Sequence, residues 1–137
     1  VILSTCNRVE IMAVGNGPGV PARVLDCWAA ARGQQRGDLE PFVYVHKGID
    51  AVRHLFSVAS SLDSMVVGEP QILGQLKDAY RKAVGRNATH VVLNRLLHKA
   101  FSVAKRVRTE TAVASSAVSI SFAAVSGGAG SSLIAYW

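Results

Sequence analysis

The chain is poor in cysteine, in aromatic side chains and in long apolar runs, and its second half is almost without acid. Two cysteines in 137 residues exclude a disulfide scaffold, and Cys6 and Cys27 lie too far apart for the usual zinc-ligand spacings. A reducing, cytoplasmic setting is the simplest expectation. No uninterrupted apolar stretch of about 18 residues occurs, so no membrane span and no membrane partner are expected. No signal peptide is visible. The sequence opens on Val1 within an apolar run, which reads as a fragment cut from a longer protein at both ends. Half of the residues are hydrophobic, which excludes a disordered chain and allows one domain with its own core.

Charge is divided unevenly. Residues 1–76 carry six Lys/Arg against seven Asp/Glu, a net of −1, whereas residues 77–137 carry nine against two, a net of +7. All nine of those cations fall between Lys77 and Arg108. A segment of this kind is either a solvated helix surface or a face for a polyanion, nucleic acid first among them.

The elements are read from periodicity and punctuation. Val1-Ile-Leu3 ends a buried strand. Val9, Ile11 and Ala13 alternate with Glu10 and Met12, as in a strand with one face buried. Ser4-Thr-Cys-Asn-Arg8 joins the two as a hairpin loop. Residues 20–32 are predicted helical with Gly33 as the cap. Phe42-Val-Tyr-Val-His46 is a strand rich in β-formers. Asp50 is placed as the N-cap of a helix over 51–60. Pro70 suits the first position of the next helix, whose apolar face runs through Ile72, Leu73, Leu76, Ala79, Tyr80 and Ala83. Residues 93–108 form the strongest helical stripe, with Arg95, Lys99 and Arg106 on a separate side. A further helix is expected over 116–126. The order strand–strand–helix–strand–helix is that of an α+β domain, an incomplete split βαββαβ (ferredoxin-like) unit followed by basic helices. Three segments follow: a partial α+β unit over 1–62, a helical part over 63–126, and a tail over 127–137. Gly127-Gly-Ala-Gly130 lacks the spacing of a dinucleotide loop, and the tail is expected to be flexible or artificial.

Cys6, in a loop and two positions from Arg8, has the access and the neighbouring positive charge that a nucleophilic thiol requires. The usual fate of a free cysteine is a small buried apolar residue, and the residues alone leave both readings open. Cys27, within a helix among apolar neighbours, is expected to be of the buried kind. His54, expected in the first turn of its helix, is either a proton-handling group or a hydrogen-bonded helix-start residue. His46, His90 and His98 have less claim, and no pair of histidines suggests a metal site. Ser64 and Gln71 can hydrogen-bond a polar substrate, and Glu69 is placed as an acid at a helix N-terminus.

Three stretches, Ser4-Thr-Cys-Asn-Arg-Val-Glu10, His54 to Lys77, and Leu93–Phe101 with Ala104–Thr111, together resemble the catalytic domain of the glutamyl-tRNA reductases. The resemblance implies NADPH-dependent reduction of glutamyl-tRNA(Glu) to glutamate-1-semialdehyde, the step that opens tetrapyrrole synthesis. It implies Cys6 as the nucleophile, His54 as a pocket histidine that orients or polarises the ester, and Thr5, Asn7, Arg8, Ser64, Glu69 and Gln71 as residues around the glutamyl group. An Arg fits a carboxylate because its fork makes two charged hydrogen bonds. NADPH would be bound by a domain outside this sequence, the parent enzyme would be a homodimer, and glutamate-1-semialdehyde aminomutase would be a partner. Such a chain is expected to form or hydrolyse the thioester without reducing it. Ser61 stands where that family usually has Gly, a departure that matters where φ is positive. The alternative reading is a non-catalytic, basic RNA-binding module in which Cys6 is structural.

Overall fold

The computed structural model describes residues 1–6, 8–64, 68 and 71–113, and the backbone of 131–136. Strand β1 (Ile2–Ser4) pairs antiparallel with β2 (Arg8–Ala13), Ile2 opposite Ile11 and Ser4 opposite Val9. Side chains alternate across a strand. The pairing therefore puts Ile2 and Ile11 on one face, and Leu3, Glu10 and Met12 on the other.

Both faces are covered. Helix α1 (Val20–Ala31) lies over the first, where Val24 and Trp28 share a cleft with Ile2, Ile11 and Ala13. Gly33 follows it with φ of +65°, the left-handed conformation that ends many helices. The second face is covered by α3 (Gly48–Ala59), α4 (Gln71–Val84) and α5 (Val91–Glu110). Leu3 and Met12 are buried there with Leu55, Val58, Leu76, Leu93, Leu97, Ala100 and Ala104. This corrects the expectation that Glu10 and Met12 face solvent: both are buried, because helices pack on the side the alternation assigned to water.

A short helix α2 (Arg36–Leu39) and a 3-10 turn (Glu40–Phe42) precede β3 (Val43–Lys47). The sequence pattern did not signal either, and Phe42 belongs to the turn rather than the strand, 67% exposed. Helix α3 begins at Gly48, so Asp50 lies inside its first turn and pairs with Arg53 at 3.2 Å instead of capping. His54 consequently sits in the second turn. Pro70 and the helix expected over 116–126 lie outside the described residues.

Helix α5 is longer than its stripe suggested. Leu93, Leu97, Ala100 and Ala104, spaced four and three apart, are its buried line, the repeat that keeps one helix face inward. Strand β4 (Ser131–Tyr136) corrects the reading of 127–137 as a patternless tail. It lies between β2 and β3 and runs parallel to both, with Ile134 opposite Ile11 on one side and Val45 on the other. Its residues, Ser-Ser-Leu-Ile-Ala-Tyr, do not alternate, and both pairing partners are remote in sequence. The domain is α+β, its four-stranded sheet ordered β1-β2-β4-β3.

Candidate functional site

The β1–β2 hairpin is closed by three hydrogen bonds. The Thr5 backbone N–H donates to the Arg8 carbonyl at 2.9 Å. The Thr5 hydroxyl accepts from the Arg8 N–H at 3.1 Å and donates to the same carbonyl at 3.2 Å. Only positions 6 and 7 remain between the bonded residues, and Cys6 is exposed there. Asn7 lies outside the described residues. The thiol therefore has the access that nucleophilic attack demands. Cys27, expected to be buried, is exposed as well: it lies on the rim of the cleft beside Trp28, because the buried line of α1 runs through Val20, Leu25 and Ala29.

Behind the hairpin tip, four charged or titratable side chains form a closed ring. Arg8 Nη1 donates to Glu10 Oε1 at 3.3 Å and to Asp63 Oδ2 at 3.0 Å. His54 Nε2 meets the same Glu10 oxygen at 3.1 Å, and its Nδ1 lies 3.4 Å from the same Asp63 oxygen. Glu10 is 1% exposed, while Asp63 at 47% stands at the mouth. Arg8 and Glu10 are two apart on β2, so both point to the helix-covered face. His54 reaches them from α3.

The electrostatics follow from this packing. Burial works against the charge of the Arg8 guanidinium, but the hydrogen bond to Asp63 and the charges of Asp63, Tyr44 and Glu10 outweigh it and hold the group above its ordinary value. Burial, reinforced by the negative charge of Glu10, pushes the Tyr44 phenol upward. Tyr44 and His46, again two apart on one strand, enclose His54. The His46 ring stacks on it at 4.7 Å between centroids, and Tyr44 meets it edge-on at 5.9 Å.

The loop after α3 supplies the remaining residues. Ser61 is buried with φ of +59°, so the position that bears Ser here does carry the left-handed backbone that favours glycine. Its carbonyl accepts from the Gly68 N–H at 2.9 Å and from the Ser64 hydroxyl at 3.1 Å. Gly68, φ +88°, seats directly against the Val113 backbone, where a Cβ would clash. Gln71 opens α4 and is exposed. Glu69 lies outside the described residues.

The fold thus joins Arg8 to His54 through two shared carboxylate oxygens, with Cys6 at the adjacent hairpin tip. Sequence reasoning missed Glu10, Asp63, Tyr44 and His46. The parity of Arg8 with Glu10, and of Tyr44 with His46, was the available signal. No group of three potential metal ligands occurs among the described residues. The set places an accessible thiol on the hairpin that also carries a guanidinium shared by two carboxylates.

The family described as Glutamyl-tRNAGlu reductase, N-terminal domain, matches residues 1–111. The chain belongs to that family. It is 96% identical over 125 residues to a glutamyl-tRNA reductase of Nitratidesulfovibrio vulgaris (strain DSM 19637 / Miyazaki F), a match covering 91% of this chain and 28% of the relative. It is 74% identical to a glutamyl-tRNA reductase of Oleidesulfovibrio alaskensis, with the same two coverages, and 62% identical to one of Lawsonia intracellularis, covering 91% and 29%. The chain therefore spans little more than a quarter of the reductases it matches. No solved structure gave a significant match. No helix among the described residues is long and apolar enough to cross a membrane.

Proposed function

We propose that this chain is the thiol-bearing part of a glutamyl-tRNA reductase, in which Cys6 accepts the glutamyl group from glutamyl-tRNA(Glu). The observation that carries the reading is the exposed Cys6 at a hairpin tip closed onto Arg8, whose guanidinium is fixed by Glu10 and Asp63. The Cys6 Sγ attacks the ester carbonyl carbon, and a C–S bond forms. The bond from that carbon to the ribose oxygen breaks, and the tRNA leaves with its hydroxyl restored by the thiol proton. No oxidation occurs in this step. Arg8 holds the carboxylate of the glutamyl group, and His54 orients or polarises the ester. Thr5 fixes the hairpin. Asn7, Ser64, Glu69 and Gln71 complete the polar surroundings.

NADPH supplies the hydride in the whole reductase. Gly127-Gly-Ala-Gly130 lacks the spacing that seats a dinucleotide pyrophosphate, and the chemistry assigned to this chain ends at the thioester. The parent protein would be homodimeric, with glutamate-1-semialdehyde aminomutase as a partner for its aldehyde product. The finer fold is an incomplete split βαββαβ unit over residues 1–62, extended by the helical segment 63–126.

Intact-protein mass spectrometry after mixing the chain with glutamyl-tRNA and no NADPH tests this reading. A glutamyl adduct on the unsubstituted chain, absent from Cys6→Ser, is the expected result. No mass gain on the unsubstituted chain after exposure would leave the RNA-binding module as the better description.

A further inference from the structure

A second feature lies on the side of α4 and α5 away from the sheet. Of the two acids that follow Lys77, Asp78 pairs with Arg81 and Glu110 with Arg106. Among the described residues no carboxylate pairs with Lys77, Lys105 or Arg108. These three line one groove of about 420 Å³ between the two helices, together with Phe101 and Ser102. The Lys77 ammonium stands 5.9 Å from the Phe101 ring centroid, an attraction that holds it over the groove. Like charges gathered without counter-ions repel one another, and the arrangement gains stability when a polyanion occupies it.

The groove is tied to the site described above. Lys77 is six residues beyond Gln71, about 9 Å along the α4 axis. Arg108 lies near the end of α5, whose continuation at Val113 packs against Gly68 of the site-bearing loop. The groove thus adjoins the helix start and the loop that follow Ser61 in the chain.

We propose that the α4–α5 groove, through Lys77, Lys105 and Arg108, grips the phosphate backbone of an RNA strand whose end enters the Cys6 site. The identity of the polymer rests on the acyl-acceptor reading; the anion site rests on the groove itself. Lys82 on α4, Arg86 in the turn after it and Arg95 on α5 are outside the groove and do not take part.

The test is fluorescence anisotropy of the full 137-residue chain with uncharged tRNA(Glu) over a series of salt concentrations. Each neutralised phosphate contributes about 0.7–0.9 to the slope of log affinity against log salt. The substitutions Lys77→Ala, Lys105→Ala and Arg108→Ala combined are expected to flatten the slope by about two to three units. The control combination Lys82→Ala, Arg86→Ala and Arg95→Ala is expected to change it by less than about one unit. Equal losses from the two combinations, or no tRNA binding by the unsubstituted chain, would overturn the proposal. Circular dichroism checks folding, and Lys105→Gln alone, expected to remove about one unit, replaces the triple variant if that does not fold. Acylation of Cys6 is read separately on the unsubstituted chain. Groove-dependent binding without acylation removes the acyl-acceptor reading and keeps the groove, while acylation with an unmoved slope does the reverse.

Discussion

Four residues carry consequences that can be measured singly. Ser61 holds a left-handed backbone at 1% exposure, a conformation that costs a residue with a Cβ about 1–2 kcal/mol. Ser61→Gly is expected to raise stability by about 1 kcal/mol, seen as a higher Tm. Glu10, buried and shared by Arg8 and His54, is the opposite case. Removing one partner of a buried ion pair strands the other, so Glu10→Ala is expected to lose about 3 kcal/mol in urea denaturation. Asp63→Ala, at the exposed mouth, should lose less than about 1 kcal/mol. Tyr44 gives a pH dependence. Its folded-state pKa lies above the ordinary value of about 10. The unfolded chain therefore releases the phenolic proton first as pH rises. The stability that Tyr44 contributes is complete below pH ~10 and is lost as pH climbs through the folded-state value. Denaturation curves above pH ~10 should fall more steeply for the unsubstituted chain than for Tyr44→Phe.

At the scale of elements, helices were more legible in the sequence than strands. The stripe Leu93, Leu97, Ala100 and Ala104 announced α5 because four buried positions recur within one segment. Leu97 is fully buried, and Leu97→Ala is expected to lower unfolding free energy by about 3 kcal/mol. Its companion α4 gave an equally readable face. Three strands were legible, β1 and β2 from a tight hairpin and β3 from its β-formers, whereas β4 pairs with strands remote in sequence and carries no period of its own. The site divides along the same line. Cys6 and Arg8 share one short run and could be found by reading along it. The bonds from His54 to Glu10 and from Arg8 to Asp63 span 44 and 55 positions, and a local pattern holds no information about them. Glu10 was misplaced for a related reason. Alternation shows which residues share a face, and packing decides whether that face is wet. Because β4 is paired along both edges, a chain ending before Ser131 is expected to unfold less cooperatively, with a shallower denaturant transition.

For the molecule as a whole, one core lies between the sheet and α3, α4 and α5, drawing on residues from Leu3 to Ala104. That continuity holds a nearly neutral segment bearing Cys6 and a strongly basic helical segment in one body. Residues 1–76 and 77–137 differ from −1 to +7 in net charge. Near a polyanion such a body experiences a torque as well as an attraction. It is turned during approach so that α4 and α5 lead, and encounters that would otherwise begin in the wrong orientation become productive. Association is then faster than random docking permits, and it slows steeply as ionic strength rises. The separation of charge along the chain therefore acts before any contact is made, by setting which side of the protein arrives first.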